Sequence, residues 1–251
     1  MEWQDDAIVI GIRRLGEADV ILEAMTREHG RHLGVVRGGR SRRLQPALQA
    51  GNSLIVSWRA RIDEQLGHFA IEPTKLRAAT YMAHREALYA VTCIASLLRL
   101  LPERDPHPDV HDQLTAMLDH LADPAAAAQL VVQFELLMLA ELGFGLDLST
   151  CASTGQETEL TYVSPKSGRA VSRLAGEPWR DRLLRLPAFL SDEAHPSAED
   201  LADGFDLTGF FLMRHVLEPR GLAFADARDG FVAAVLGRRN SPQRAIGAGR
   251  S

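Results

Sequence analysis

The feature that most constrains this chain is a change of hydrophobic period near Pro73. From Ala7 to Glu72 the apolar residues alternate, the spacing of strands with one buried face. Ile8, Ile10 and Ile12 share one side of a first predicted strand, and Val20, Leu22 and Ala24 one side of a second. Glu28-His29-Gly30 turns into a short third strand around Leu33 to Val36. Leu54, Val56 and Trp58 alternate with Ser53, Ser57 and Arg59 in a fourth, and an Asp63-Glu64 turn precedes a fifth, roughly Leu66 to Ile71. Leu44 to Gln49 fits one helical turn between the third and fourth strands. That element order predicts an OB-fold, a five-stranded Greek-key barrel whose closure removes exposed strand edges.

Beyond Pro73 the spacing becomes helical. Leu88, Val91, Ala95, Leu98 and Leu101 mark one face of a segment from Leu76 to Leu101, which stops at Pro102; a second runs from about Asp109 to Leu121. Asp123-Pro124 supplies a capping carboxylate and a proline at the first helical position, opening a central helix that continues to Leu142 and stops at Gly143. Ser197-Ala198-Glu199-Asp200 reads as a capping box ahead of Leu201 to Leu217. Between these helices, Leu160 to Val163, a Ser164-Pro165-Lys166-Ser167-Gly168 turn and Arg169 to Val171 predict an inserted β-hairpin. Too small for a core of its own, it must pack on its neighbours or be held by a metal. The fold class is therefore α+β and multidomain. An OB-fold barrel occupies residues 1–78, an all-helical domain with a hairpin at about 148–173 occupies 79–236, and a basic tail occupies 237–251.

Charge is unevenly spread. The net charge is −5, yet residues 1–80 hold 12 basic against 10 acidic side chains while the rest of the chain is net −7. Arg27, Arg31, Arg37, Arg40, Arg42 and Arg43 face one acid, Glu28, within a single short stretch. Charge alone leaves two readings open: a solvated arginine loop, or one edge that meets a polyanion. Two cysteines, Cys93 and Cys151, cannot build a disulfide framework and fit a reducing, cytoplasmic setting. Glu2, Asp5 and Asp6 stand where a signal peptide would be basic, and Gln129, Gln133, Glu135 and Glu141 break the most apolar stretch, so a membrane span is not expected.

Catalytic patterns are absent. Neither Lys75 nor Lys166 ends a glycine-rich phosphate loop, and Gly143-Phe144-Gly145 follows a helix and reads as its stop. Cys93 lies on an apolar helix face and reads as core. His107 and His111 lack a third ligand and read as surface histidines. The chain is expected not to be an enzyme and to need no cofactor.

Three stretches together carry a resemblance: Trp3 followed by Ala7-Ile8-Val9-Ile10, the run Arg37-Gly38-Gly39-Arg40-Ser41-Arg42-Arg43, and Leu142-Gly143-Phe144-Gly145-Leu146 leading to Cys151. In this order and spacing they resemble the RecO family of bacterial recombination mediators, over essentially the whole chain. The resemblance implies a DNA repair adaptor of the nucleoid. Such a protein binds single- and double-stranded DNA, pairs with RecR, recognises the acidic C-terminal tail of single-strand binding protein, helps RecA onto gaps and anneals strands. The DNA contacts are expected at Arg37, Arg40, Arg42 and Arg43, because they cluster in one short loop, with Arg31 joining across the adjacent strand. Arg13 and Arg14 extend the patch or are simply solvated, and part of the edge is equally open to RecR. Trp58, in phase with Leu54 and Val56, reads as core rather than a stacking platform.

Many members of that family carry two CxxC pairs at the hairpin. Here only Cys151 remains, with Thr154 at the matching position, and no histidine lies between His120 and His195. One thiolate cannot hold zinc, so a degenerate, metal-free hairpin packed through Leu160, Tyr162 and Val171 is expected. Arg238, Arg239, Arg244 and Arg250 make the tail basic, for disorder or auxiliary DNA contact. The alternative to a mediator is a helical scaffold whose OB domain docks protein.

Overall fold

A computed structural model describes residues 1–62, 64–190 and 195–237. Asp63 of the expected turn and the arginines from Arg238 onward lie outside the described residues. The chain forms two compact units, Met1–Phe134 and the remainder beginning at Glu135.

In the first unit, β1 (Glu2–Leu15), β2 (Asp19–Thr26), β3 (Gly30–Val36), β4 (Ser53–Arg59) and β5 (His68–Lys75) close a barrel in the order β1-β2-β3-β5-β4. β3 and β5 run parallel and meet at a single pair, Val35 with His68, so the barrel is thinnest there. Val20, Leu22, Ala24, Leu54, Val56 and Trp58 fill the interior as their alternation predicts. Burying each leucine or valine contributes about 1.5–3 kcal/mol.

Three elements depart from their sequence pattern. Ala7 and Val9, rather than Ile8 and Ile10, face the barrel interior, yet all four are buried and Ile12 is exposed. A bulge between Val9 and Gly11 re-aims the strand, and helix α2 packs on β1, so β1 has two buried faces where alternation expects one. β5 starts later than expected and runs through Pro73. That proline sits beside a register shift at Ser53/Leu54, where a missing N–H is tolerated. The single helix expected from Leu76 is two, α1 (Ala78–Tyr81) and α2 (Arg85–Leu98). The start of α1 is set from far away: the buried Asn52 side chain accepts hydrogen bonds from the backbone N–H groups of Arg77 (2.7 Å) and Ala78 (3.0 Å).

α3 (Pro108–Leu118) carries His111 inward beside Val110 and Leu114. His111 is 5% exposed, which corrects the surface reading; its helix face is apolar and packs inward, and periodicity around the isolated His107 and His111 could not show this. α4 (Pro124–Glu141) begins as predicted, with Asp123 Oδ1 accepting from Ala125 N at 3.0 Å. Among the described residues it is the one helix long and apolar enough to cross a membrane. Val131, Phe134, Met138 and Leu139 are fully buried, as in a core helix. The strand-to-helix transition falls between Lys75 and Ala78, whereas the two compact units divide within α4. The Arg99–Glu23, Arg27–Asp112 and Arg77–Asp119 ion pairs draw α1 to α3 into the barrel's unit.

In the second unit, β6 (Leu160–Val163) and β7 (Ala170–Ser172) form the expected hairpin. β8 (Leu184–Arg185) adds a third strand beside β6, and between them lie α5 (Arg173–Gly176) and a 3₁₀ turn, Glu177–Arg182. Ser197 and Asp200 make the predicted capping box of α6 (Ala198–Phe211). That helix continues through a π-turn (Leu212–Leu217) and a 3₁₀ turn to a left-handed stop at Gly221. α7 (Asp226–Leu236) completes the unit.

Candidate nucleic-acid interface

The arginine run forms the first part of the loop between β3 and β4. Gly38 turns the chain at φ +62°, a value that favours glycine, and its N–H donates to Asp19 Oδ1 at 2.8 Å. Arg40 N–H donates to Ala18 O at 3.0 Å, and Arg40 Nη1 to Glu17 O at 2.6 Å. The loop is thus stapled to the β1–β2 turn. Further on, Leu48 N donates to Leu44 O, and Ala47 and Leu48 plug the barrel core. This is the helical turn that the sequence predicts. With its backbone fixed and its apolar residues inward, the loop leaves Arg37, Arg40, Arg42 and Arg43 exposed.

These four differ from most of the basic residues around them in one respect. Arg37, Arg42 and Arg43 have no carboxylate partner and make no hydrogen bond among the described residues, and Arg40 bonds only to a backbone carbonyl. Arg13 and Arg14, at the end of β1, are likewise exposed and have no ion-pair partner among the described residues. By contrast Arg27 is bound to Asp112 and Glu28. A guanidinium whose only counterions are in solution releases them when a phosphate arrives, whereas a paired one must first lose a carboxylate.

Arg31 does not join this group. It sits at the start of β3, six residues and roughly 20 Å along the strand from Arg37. Its Nη1 lies 2.8 Å from Glu23 Oε1 and its Nε donates to Leu101 O at 3.2 Å. Glu23 is shared with Arg99 at 2.9 Å, so the pair clamps β2 and β3 to the segment after α2. The side chain is only 12% exposed. The correction has a simple cause: a stretch of sequence that looks like one cluster is divided between the two ends of a strand.

Beside the loop, where β3 and β5 barely meet, a cavity of about 780 Å³ opens between Arg37, Leu44, Arg59, Arg61, Phe69 and Ile71. Its lining combines apolar side chains with three arginines and one acid, Glu2. Arg61 is exposed and has no ion-pair partner among the described residues, while Arg59 lies 2.6 Å from Glu2, whose carboxylate raises the guanidinium pKa further. Reading the sequence missed Arg59 and Arg61. The available signal was Arg59-Ala60-Arg61 at the end of the fourth strand, leading into the loop that OB-folds turn toward ligands. Aromatic platforms are lacking here. Trp58 is fully buried, its Nε1 donating to Leu66 O at 3.1 Å, and Phe69 is 4% exposed. Such a surface can hold an anionic backbone by charge and reads little base sequence.

No group of three or more potential metal ligands occurs among the described residues. In the hairpin, Cys151 is buried with Tyr162 and Val171, against Leu160, Ala175 and Leu183. Ser172 N–H donates to Cys151 Sγ at 3.2 Å. Burial pushes the thiol up, but hydrogen bonds from Ser172 and Thr154 outweigh that effect and bring it to about 6.

Comparison with known proteins gives a consistent result. The family described as Recombination protein O N terminal matches residues 1–76, and Recombination protein O C terminal matches residues 82–222. A DNA repair protein RecO from Rhodopseudomonas palustris (strain BisB5) is 61% identical over 239 residues, covering 94% of this chain and 96% of the relative. Those from Afipia carboxidovorans and Rhizobium johnstonii are 59% and 58% identical, covering 95% and 98% of this chain and 98% and 97% of their own lengths.

Proposed function

The chain belongs to the RecO family of DNA repair proteins, and on that footing we propose that it binds single- and double-stranded DNA through the basic rim of its barrel. The rim consists of Arg37, Arg40, Arg42 and Arg43, extended by Arg61 and, once Glu2 yields, Arg59. Arg31 serves the fold instead. The observation that carries this reading is that, among the described residues, Arg37 and Arg61 line one cleft of the barrel exposed and without a carboxylate partner, and the loop that begins at Arg37 leaves Arg40, Arg42 and Arg43 exposed and equally free of carboxylates. Binding is electrostatic and sequence-tolerant, as a protein acting at any gap requires.

The finer role is a mediator's. The protein acts in the cytoplasm at the nucleoid, pairs with RecR, engages the acidic tail of single-strand binding protein, assists RecA loading and anneals strands, and it makes or breaks no covalent bond. These roles rest on the family membership; the acidic second half of the chain is compatible with protein contacts. The alternative, a scaffold whose barrel docks protein, lacks a supporting observation of its own.

The test is a salt-titrated binding series on oligothymidylate, wild type against the Arg37→Ala, Arg40→Ala, Arg42→Ala, Arg43→Ala variant. Four to six phosphate contacts at the barrel contribute roughly −3 to −4 to the slope of log affinity against log salt. The variant is expected to flatten it by about 3; an unchanged slope places the DNA surface elsewhere.

A further inference from the structure

We propose that the second unit carries its own single-stranded nucleic-acid contact, centred on Trp179 and the arginines around it. This inference rests on the DNA-binding role proposed above and adds a second contact surface.

Residues 169–185 hold Arg169, Arg173, Arg180, Arg182 and Arg185 against Glu177 and Asp181, a basic island in the acidic part of the chain. The fold gathers them. Gly176 lies so close to Tyr162 that a Cβ there would stand 2.4 Å from the ring, and this pins α5 against β6. The following 3₁₀ turn has no buried residue and leaves Trp179 57% exposed. Arg173, Arg180 and Arg185 line one cavity of about 310 Å³ with Thr161, Tyr162 and Glu177.

Two features identify the ligand. Two guanidinium groups lie over rings, Arg185 at 5.0 Å from the centroid of Tyr162 in the cavity and Arg182 at 5.8 Å from that of the exposed Trp179, so the indole carries one planar cation and follows closely in sequence on the cavity's Arg173. A single strand offers both complements, a base to stack on the indole and phosphates for the arginines. An acidic peptide would match the charge, but the cavity has no aliphatic lining to receive its apolar side chains. Arg173 has neither a hydrogen bond nor an ion pair to its side chain among the described residues, while Arg180 is shared with Glu177 at 3.2 Å.

The experiment uses the full chain and fluorescein-labelled oligothymidylate, with a photoreactive 5-iodouracil version for crosslinking. On wild-type protein, an adduct within residues 173–185 is expected. Arg173→Gln, Arg180→Gln, Arg185→Gln together should reduce the salt slope by about 2, and Trp179→Ala should weaken binding at least about fivefold. Wild-type crosslinks confined to the barrel, or slopes unchanged in a triple variant of native thermal stability, overturn the inference while leaving the barrel reading intact. Flattening by the triple variant but not by the four loop substitutions overturns the barrel reading alone. If the triple variant loses an acidic peptide but keeps its DNA slope, the patch is a protein-docking face and the proposal is wrong.

Discussion

Arg228 and Glu135 form a buried two-point ion pair that ties α7 to α4, with Nε to Oε1 at 2.7 Å and Nη2 to Oε2 at 3.0 Å. The remaining polar groups are also met. Thr208 Oγ1 donates to Glu135, Arg228 Nη2 donates to Phe205 O at 2.9 Å, and the guanidinium lies 4.4 Å from the centroid of Phe224. Glu135 is wholly buried, so its charge is tolerated only with this partner.

Arg228→Met therefore leaves an uncompensated carboxylate in the core and is expected to cost about 3–5 kcal/mol in urea unfolding. Adding Glu135→Met should recover most of that loss. A single substitution costing under about 1 kcal/mol would show that the pair is not holding the helices together.

Arg31 and Arg42 should separate cleanly. Arg31→Ala breaks a charged hydrogen bond to Glu23 in a largely buried setting and is expected to lower stability by about 2 kcal/mol without changing the salt slope of DNA binding. Arg42→Ala should leave stability within about 0.5 kcal/mol and reduce the single-strand slope by about 0.7. The reverse pattern would mean that the two roles have been assigned the wrong way round.

Asp203 gives the second unit a pH signature. Desolvation, reinforced by Glu199 and Asp206 and opposed by Arg185, lifts its carboxyl pKa to about 6. The folded state then holds a proton that the unfolded chain has lost, so stability falls as pH rises from about 4 to 6 and stays lower above that. Asp203→Asn should remove this slope and raise stability at pH 7.5 by about 1 kcal/mol, the partial exposure of the site reducing the full linkage value. Equal pH profiles for wild type and variant would count against the shift.

The hairpin should be indifferent to metal. Its packing through Tyr162, Val171 and Leu160 involves one thiol, Cys151, with Ser172 and Thr154 as its hydrogen-bond partners. Dialysis against a strong chelator is expected to leave the thermal midpoint unchanged, and elemental analysis to find well under one zinc per chain. Destabilisation on chelation would mean that a metal carries folding energy there.

Much of the fold was legible because its signals are local. The alternation of Val20, Leu22 and Ala24, the Asp123-Pro124 start of α4 and the Ser197–Asp200 capping box each depend on residues within a turn or two of one another. The hairpin's packing residues were readable for the same reason.

What only the tertiary structure decided is which charges are left over. Glu23 takes Arg31 and Arg99, Asp112 takes Arg27, and Glu135 takes Arg228 from 93 residues away, while Arg37, Arg42, Arg43 and Arg61 remain unmatched among the described residues. The same holds for Asn52 setting the start of α1, and for a second layer that buries the outer face of β1. Periodicity records how a residue relates to its own helix or strand. A charge's partner is chosen by whichever distant segment packs beside it, and no local pattern encodes that.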